Sequence, residues 1–346
     1  MNWKFSLYPL AFILFLTGCA TRKPAEVMWP LPPDEPRIKF VKSISSAEDV
    51  EKKSILKSAA NLISGTSGSG LRLAKPYAVH VDRDGRIFVT DSAWASILMF
   101  DVKNDKFTLI GTEGPGVLAK PMGVTTDSTG RIFATDTVQN RAVAYDHDGN
   151  FLFAMGERGR FEQPVGIAVN DALNRVYIVD TKKHKIMVFD SRDGKFLQEI
   201  GDRGIEDGKF NWPTNLVLDK EGKLYVMDTF NFRVQILDPD GKFISKFGSI
   251  GSGLGQFAKP KGIGIDSEGH VYVTDAAFNN VQVFDAQGLL LMFFAGFGNK
   301  PGDLWLPAGL AVDQDDQIYV ADQYNHRVNV YQYLSEKYKA RQAAKK

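Results

Sequence analysis

Phe210–Gly248 reads FNWPTNLVLDKEGKLYVMDTFNFRVQILDPDGKFISKFG. It divides into four short apolar runs: Leu216–Leu218, Lys223–Met227, Arg233–Leu237 and Phe243–Phe247. Between them stand Asp-Lys-Glu-Gly, Asp-Thr-Phe-Asn-Phe and Asp-Pro-Asp-Gly. Asp and Asn carboxylates and amides bond locally to backbone N–H groups, and Gly supplies positive φ, so each segment spells a tight turn. The stretch therefore predicts four antiparallel strands. A sheet of that size carries apolar side chains on both faces and cannot bury them alone.

The unit recurs. The Pro that opens it returns at Pro76, Pro121, Pro164, Pro213, Pro260 and Pro307. The Asp that ends the second strand returns at Asp91, Asp136, Asp180, Asp228, Asp275 and Asp322, at intervals of 45, 44, 48, 47 and 47 residues. Two landmarks holding a period in the forties, with four strands each time, predict an all-β, six-bladed propeller. The repeats Pro260-Lys-Gly-Ile-Gly-Ile-Asp266 and Asp322-Gln-Tyr-Asn-His-Arg-Val-Asn-Val-Tyr331 resemble the NHL repeat, and the resemblance covers residues 71–333. It implies the fold and says little about function.

The ends of the chain read differently. Lys4 followed by the apolar run Phe5–Leu16 is too short to span a bilayer and reads as a signal peptide over residues 1–18. Leu16-Thr-Gly-Cys19 is similar to a bacterial lipobox, which implies lipidation of Cys19 and a cell-envelope location. Ala20 leans towards the outer membrane, facing the periplasm or the cell surface. Cys19 is the only cysteine, so the mature domain has neither disulfide nor thiol chemistry. Residues 19–36, with Pro30, Pro32, Pro33 and Pro36, read as an extended tether. Trp29 suits either a headgroup layer or a place under the propeller.

Residues 37–45, RIKFVKSIS, alternate like a strand, with Ile38, Phe40, Lys42 and Ile44 on one side. The sixth repeat supplies only three strands, so this segment is predicted to be the fourth, closing the ring. Residues 46–70 read as a helix followed by a Gly/Ser linker, with Ser46 and Asp49 forming a capping pattern. Residues 334–346 form a basic tail that begins as a helix.

Charge limits the partners. Removing residues 1–18 takes away Lys4 and no acid, leaving 41 basic and 41 acidic side chains. A neutral domain lacks the cationic excess that nucleic acid demands. The expected partners are an envelope protein or a small ligand, with the membrane reached through the lipid on Cys19.

The second-strand Asp residues read as turn anchors. Five residues on, Arg141, Lys185, Arg233 and Arg327 offer ion pairs in four of the repeats. The glycines after the repeat prolines admit close backbone approach near the axis. Asn215 breaks that pattern with a polar amide. The residue after each Pro lies near one channel mouth, so Tyr77, Thr214, Asn215 and Lys261, with His80 deeper on its strand, form the candidate binding ring. The histidines are dispersed around the ring, which leaves no three-histidine zinc set, and no cofactor motif occurs. That counts against the amidating-lyase chemistry implied by relatives with this repeat. The resulting reading is a membrane-anchored scaffold that binds protein or ligand. The alternative is a channel-centred, metal-dependent hydrolase or lyase.

Overall fold

The computed structural model describes residues 26–49, 70–157 and 159–344. Five four-stranded antiparallel sheets and one five-stranded sheet make six blades around a channel. Blade one runs from Pro76 to Ile110, blade two from Pro121 to Met155 and blade three from Pro164 to Ile200. Blade four spans Asn215 to Phe247, blade five Pro260 to Phe294 and blade six Pro307 to Tyr333. The signal peptide, Cys19 and most of the helix expected over 46–64 lie outside the described residues. Within them, Ala47–Asp49 forms a 3-10 turn, and the Asp49 carboxylate accepts the N–H groups of Ser45 and Ser46.

The turns form for the reason their composition suggests. In blade four, Asp219 Oδ1 accepts the N–H of Glu221 and of Lys223, and Asp238 Oδ1 those of Asp240 and Lys242. Gly222 and Gly241 take φ of +81° and +93° in the same turns.

No single core exists. Apolar side chains fill six seams, one between each pair of neighbouring blades. Tyr177, Val188, Phe210 and Leu224 close the seam between blades three and four, for example. Hydroxyls stitch some of these seams: Thr135 Oγ1 accepts the N–H of Gly123 in its own blade and donates to the carbonyl of Val165 in the next. Thr90 and Thr274 repeat that bridge. The inner strands crowd as expected. A Cβ on Gly123 would lie 2.2 Å from the Val165 carbonyl, and one on Gly309 would lie 2.7 Å from Ala78 Cα.

The second-strand Asp residues anchor the loops that enter each blade. Asp136 accepts the N–H groups of Ala119 and Val138, and Asp275 those of Ala258 and Ala277. The ion pairs expected in four repeats form in two. Arg233 and Arg327 reach Asp228 and Asp322 at 2.8 Å. Lys185 turns to Glu199, and Arg141 to the carbonyl of Val117.

Ile38–Ile44 pairs antiparallel with Arg327–Tyr333 and completes blade six. One expectation about it is corrected. A bulge at Val41 switches the strand's faces, so Ile38 and Phe40 enter the seam with blade five while Ile44 enters the seam with blade one. A single strand thereby seals both sides of the last blade. The tether expectation is also corrected at its C-terminal end. Met28–Trp29 adds a fifth strand to blade six, and Trp29 packs 5.9 Å from Phe294 and 5.8 Å from Tyr331. The apolar seam offers this indole more buried area than a free chain could, which decides between its two predicted places. The basic tail is a helix, Glu336–Ala344, and its charges meet acids of the domain: Lys339 meets Glu35, and Arg341 meets Asp315.

Candidate functional site

In each blade the start of the first strand pairs with the end of the second, as Pro260 does with Asp275 and Pro307 with Asp322. The residues after the repeat prolines and the turns after the second-strand Asp residues therefore share one face of the ring. The candidate ring lies at that face on two levels.

Below the mouth is a chamber of about 240 Å³. Val79, Ile167, Leu216, Ile263 and Leu310 supply apolar walls, while His80, Thr126 and Asn215 supply polar atoms. Asn215 thus belongs with His80 in the chamber. The far end is lined by Val81, Leu218, Ile265 and Val312, the last residues of their inner strands. His80 Nε2 accepts the N–H of Thr126 at 3.2 Å and sits 2.9 Å from its hydroxyl. An Nε2 that accepts places the ring proton on Nδ1. Burial pushes the His80 pKa down to about 4, against a smaller upward pull from Asp82, so the imidazole is neutral at physiological pH.

Tyr77, Thr214 and Lys261 stand one level higher, at the mouth. Lys261 Nζ lies 6.0 Å from the centre of the Tyr77 ring, close enough for a weak cation–π contact. Burial lowers the Lys261 pKa to about 8, with Lys259 adding a smaller repulsion. Burial also raises the Tyr77 phenol to about 12, so it stays protonated. Thr214 is committed to the fold. Its hydroxyl sits 2.7 Å from that of Thr229 and 3.4 Å from the carbonyl of Lys261.

Two aromatic shelves on the same face were not foreseen. Trp212 and Phe230 stack at 5.7 Å and 35°, and Trp305 and Tyr324 at 5.5 Å and 33°. Phe230 and Tyr324 are both more than half exposed. Each occupies the second position after its repeat Asp, where blade two has Val138 and blade five Ala277. That substitution pattern was the available signal. Among the described residues, no three His, Cys, Asp or Glu side chains converge to hold a metal ion.

A family described as "6-bladed beta-propeller" matches residues 117–202 and 212–289, and the NHL repeat matches residues 304–331. NHL repeat-containing protein 2 of Bos taurus is 30% identical over 112 residues, which are 28% of this chain and 15% of that protein. The chain therefore spans a small part of this relative's length. An auxiliary nutrient binding protein from Bacteroides thetaiotaomicron superposes with a TM-score of 0.60 at 11% identity, covering 76% of this chain and 70% of that one. Virginiamycin B lyase from Staphylococcus aureus superposes with a TM-score of 0.55 at 16% identity, covering 76% and 86%. Identities this low speak for shared architecture alone.

Proposed function

We propose that this chain, an NHL-repeat six-bladed β-propeller by its fold, its repeats and its family matches, is a lipid-anchored binding scaffold of the bacterial cell envelope. Its site is the mouth formed by Tyr77 and Lys261 over the chamber that holds His80 and Asn215. One observation carries the reading. Lys261 is a half-buried cation with no carboxylate partner among the described residues, set at the rim of a chamber whose walls carry no charged side chain. Holding an unpaired charge there costs stability, and an incoming anionic group repays it. The shelves at Phe230 and Tyr324 offer flat apolar area to the rest of such a ligand. The ligand is then a small molecule, or a segment of an envelope protein, that joins an anionic group to a ring or apolar body. The nutrient-binding protein of similar fold is consistent with such a role.

The test is a double substitution. Asn215→Gly with Lys261→Ala should abolish ligand capture without lowering the melting temperature, because neither side chain carries a seam. A large fall in melting temperature would make both residues structural and remove the site. The anchor rests on Leu16-Thr-Gly-Cys19. Cys19→Ser should move the protein out of the membrane fraction and end its labelling by a fatty-acid probe. Unchanged fractionation and labelling would sink the anchor.

A further inference from the structure

Blade five ends in an open edge. Among the described residues its outer strand, Leu290–Phe294, has a sheet partner on one side only, and Leu289–Phe294 reads LLLMFF without a charge. Leu289 is 68% exposed, Leu291 52% and Phe293 49%. The outer strands of blades one, three and four carry Lys106, Glu199 and Lys246 instead. An uncharged, apolar, unpaired edge is a liability in water unless something covers it.

The N-terminal segment shows what is near. Trp29 inserts between blades five and six against Phe294 of this same outer strand. From there the chain borders a groove of about 480 Å³, lined by Pro30, Asp34, Glu35, Arg37 and Ile38 from this segment and by residues of blade five that include Leu291 and Met292. Leu31, next to Pro30, is 69% exposed. Glu26, the first described residue, is tied to this rim by Lys39 at 2.7 Å. Cys19 stands seven residues before Glu26. Fully extended, that span reaches at most about 25 Å. A lipid on Cys19 therefore keeps the cleft between blades five and six as the part of the rim nearest the bilayer.

We propose that this rim, with Leu289, Leu291, Phe293 and Leu31 as its apolar contacts, is the surface on which the anchored propeller rests on the membrane. The proposal rests on the lipoprotein reading of Cys19. The occupant is a bilayer interface because the short tether brings one there and because the exposed contacts Leu31, Leu289, Leu291 and Phe293 are apolar, while the groove between them holds Asp34, Glu35 and Arg37 without a cationic excess. Glu35, beside the groove, is engaged by Lys339 at 3.2 Å and approached by Arg37 at 4.0 Å. Docking of this kind depends on buried apolar area and is insensitive to salt. It also turns the channel axis roughly parallel to the membrane and leaves the Tyr77–Lys261 mouth open to the side.

Blade two supplies an internal control. Its outer strand, Phe151–Met155, is also uncharged, with Leu152 exposed, but blade two stands opposite blade five in the ring. The full-length lipidated protein is prepared as Leu291→Cys and, separately, Leu152→Cys, each labelled with bimane. Cys19, the only native cysteine, is blocked by its lipid. Both proteins are reconstituted in phosphatidylethanolamine–phosphatidylglycerol vesicles that carry nitroxide on their acyl chains. The expected result is strong quenching at position 291, unchanged in high salt, and almost none at position 152. Protein that floats with the vesicles but shows no quenching at 291, or equal quenching at both positions, overturns the docking and leaves the anchor standing. Protein that fails to float overturns the anchor and the docking with it. Dimerisation of Cys19→Ser protein in solution, abolished by Leu291→Asp, overturns the proposal in favour of a second copy on this edge.

Discussion

The ammonium of Lys261 in blade five lies 6.0 Å from the ring centre of Tyr77 in blade one, across the small inner residues Ala308 and Gly309 of blade six. Burial holds its pKa at about 8, below the ordinary 10.5. A depressed lysine pKa means that the charged form is penalised in the folded state. The penalty is fully present below pH 8 and fades between pH 8 and 10.5, as the folded protein gives up its proton first. Lys261→Met should therefore stabilise the protein at pH 7 by about 2 kcal/mol, discounted for the partial exposure of the side chain. Thermal melts at pH 6.5 and pH 9.5 check this. A gain that is equal or larger at the higher pH contradicts it.

The unequal fate of the repeat Arg residues makes a second prediction. Arg233 is 7% exposed and binds Asp228 as well as the carbonyls of Glu206 and Lys209. Arg141 binds the carbonyl of Val117, and its Nε has no partner among the described residues. Arg233→Leu leaves the buried Asp228 carboxylate without its cation, held only by the N–H of Asn211 and the side-chain amides of Asn231 and Gln235, and should cost about 3 kcal/mol, whereas Arg141→Leu should cost under about 1 kcal/mol. Chemical denaturation of the two variants compares them directly, and similar losses would refute the distinction.

The spacing from Asp to Arg is legible in the sequence, yet it does not decide whether the pair forms. What decides is the connector entering the blade. Gly201–Trp212 and Ala295–Leu306 fold back on themselves through the bridges Arg203–Phe210 and Phe297–Leu304, and they turn carbonyls towards the guanidinium. The connector before blade two folds instead around a short 3-10 turn, Gly114–Gly116, and offers only Val117. The repeat landmarks, by contrast, read through to the fold because each one binds its own loop: Asp136 and Asp275 meet partners within about twenty residues along the chain. The candidate site was half legible for the same reason. Register alone places Tyr77 and Lys261 at one mouth, but their approach across an intervening blade is a tertiary fact.

The hydroxyl bridges carry a third prediction. Thr135→Val keeps the side-chain shape and removes both bonds, leaving the N–H of Gly123 and the carbonyl of Val165 unpaired in a buried seam. The cost should be about 2 kcal/mol. Thr137 is a control, since its hydroxyl makes an exposed bond of 3.3 Å to Lys120. Thr137→Val should cost under about 0.5 kcal/mol. Urea midpoints at equal m-value measure both, and a Thr135→Val loss no larger than the control's would show that the bridge adds nothing.

Ring closure makes the last prediction. Blade six takes three strands from the end of the chain and two from its beginning, and it is joined to blade one by the bond from His326 to the carbonyl of Ala74. Ile38–Ile44 fills the seams on both sides, with Ile38 at 1% and Ile44 at 0% exposure. Trp29 then covers Phe294 and Tyr331 from outside. Stability should therefore fall in steps as the N-terminus is cut back. Removing residues 20–25 leaves these contacts intact and should cost less than either of the changes that follow. Trp29→Ala opens the outer seam and should cost about 2 kcal/mol, below the range for a fully buried aromatic because the indole is only partly covered. Removing residues 26–45 exposes the edge Arg327–Tyr333 and both seams at once, which should exceed the stability of an ordinary domain and leave the ring open. Calorimetry of the three variants gives the order. A Trp29→Ala protein that melts with the full-length chain would show that the indole only rests on the rim, and the fifth strand would then have no part in holding the blade.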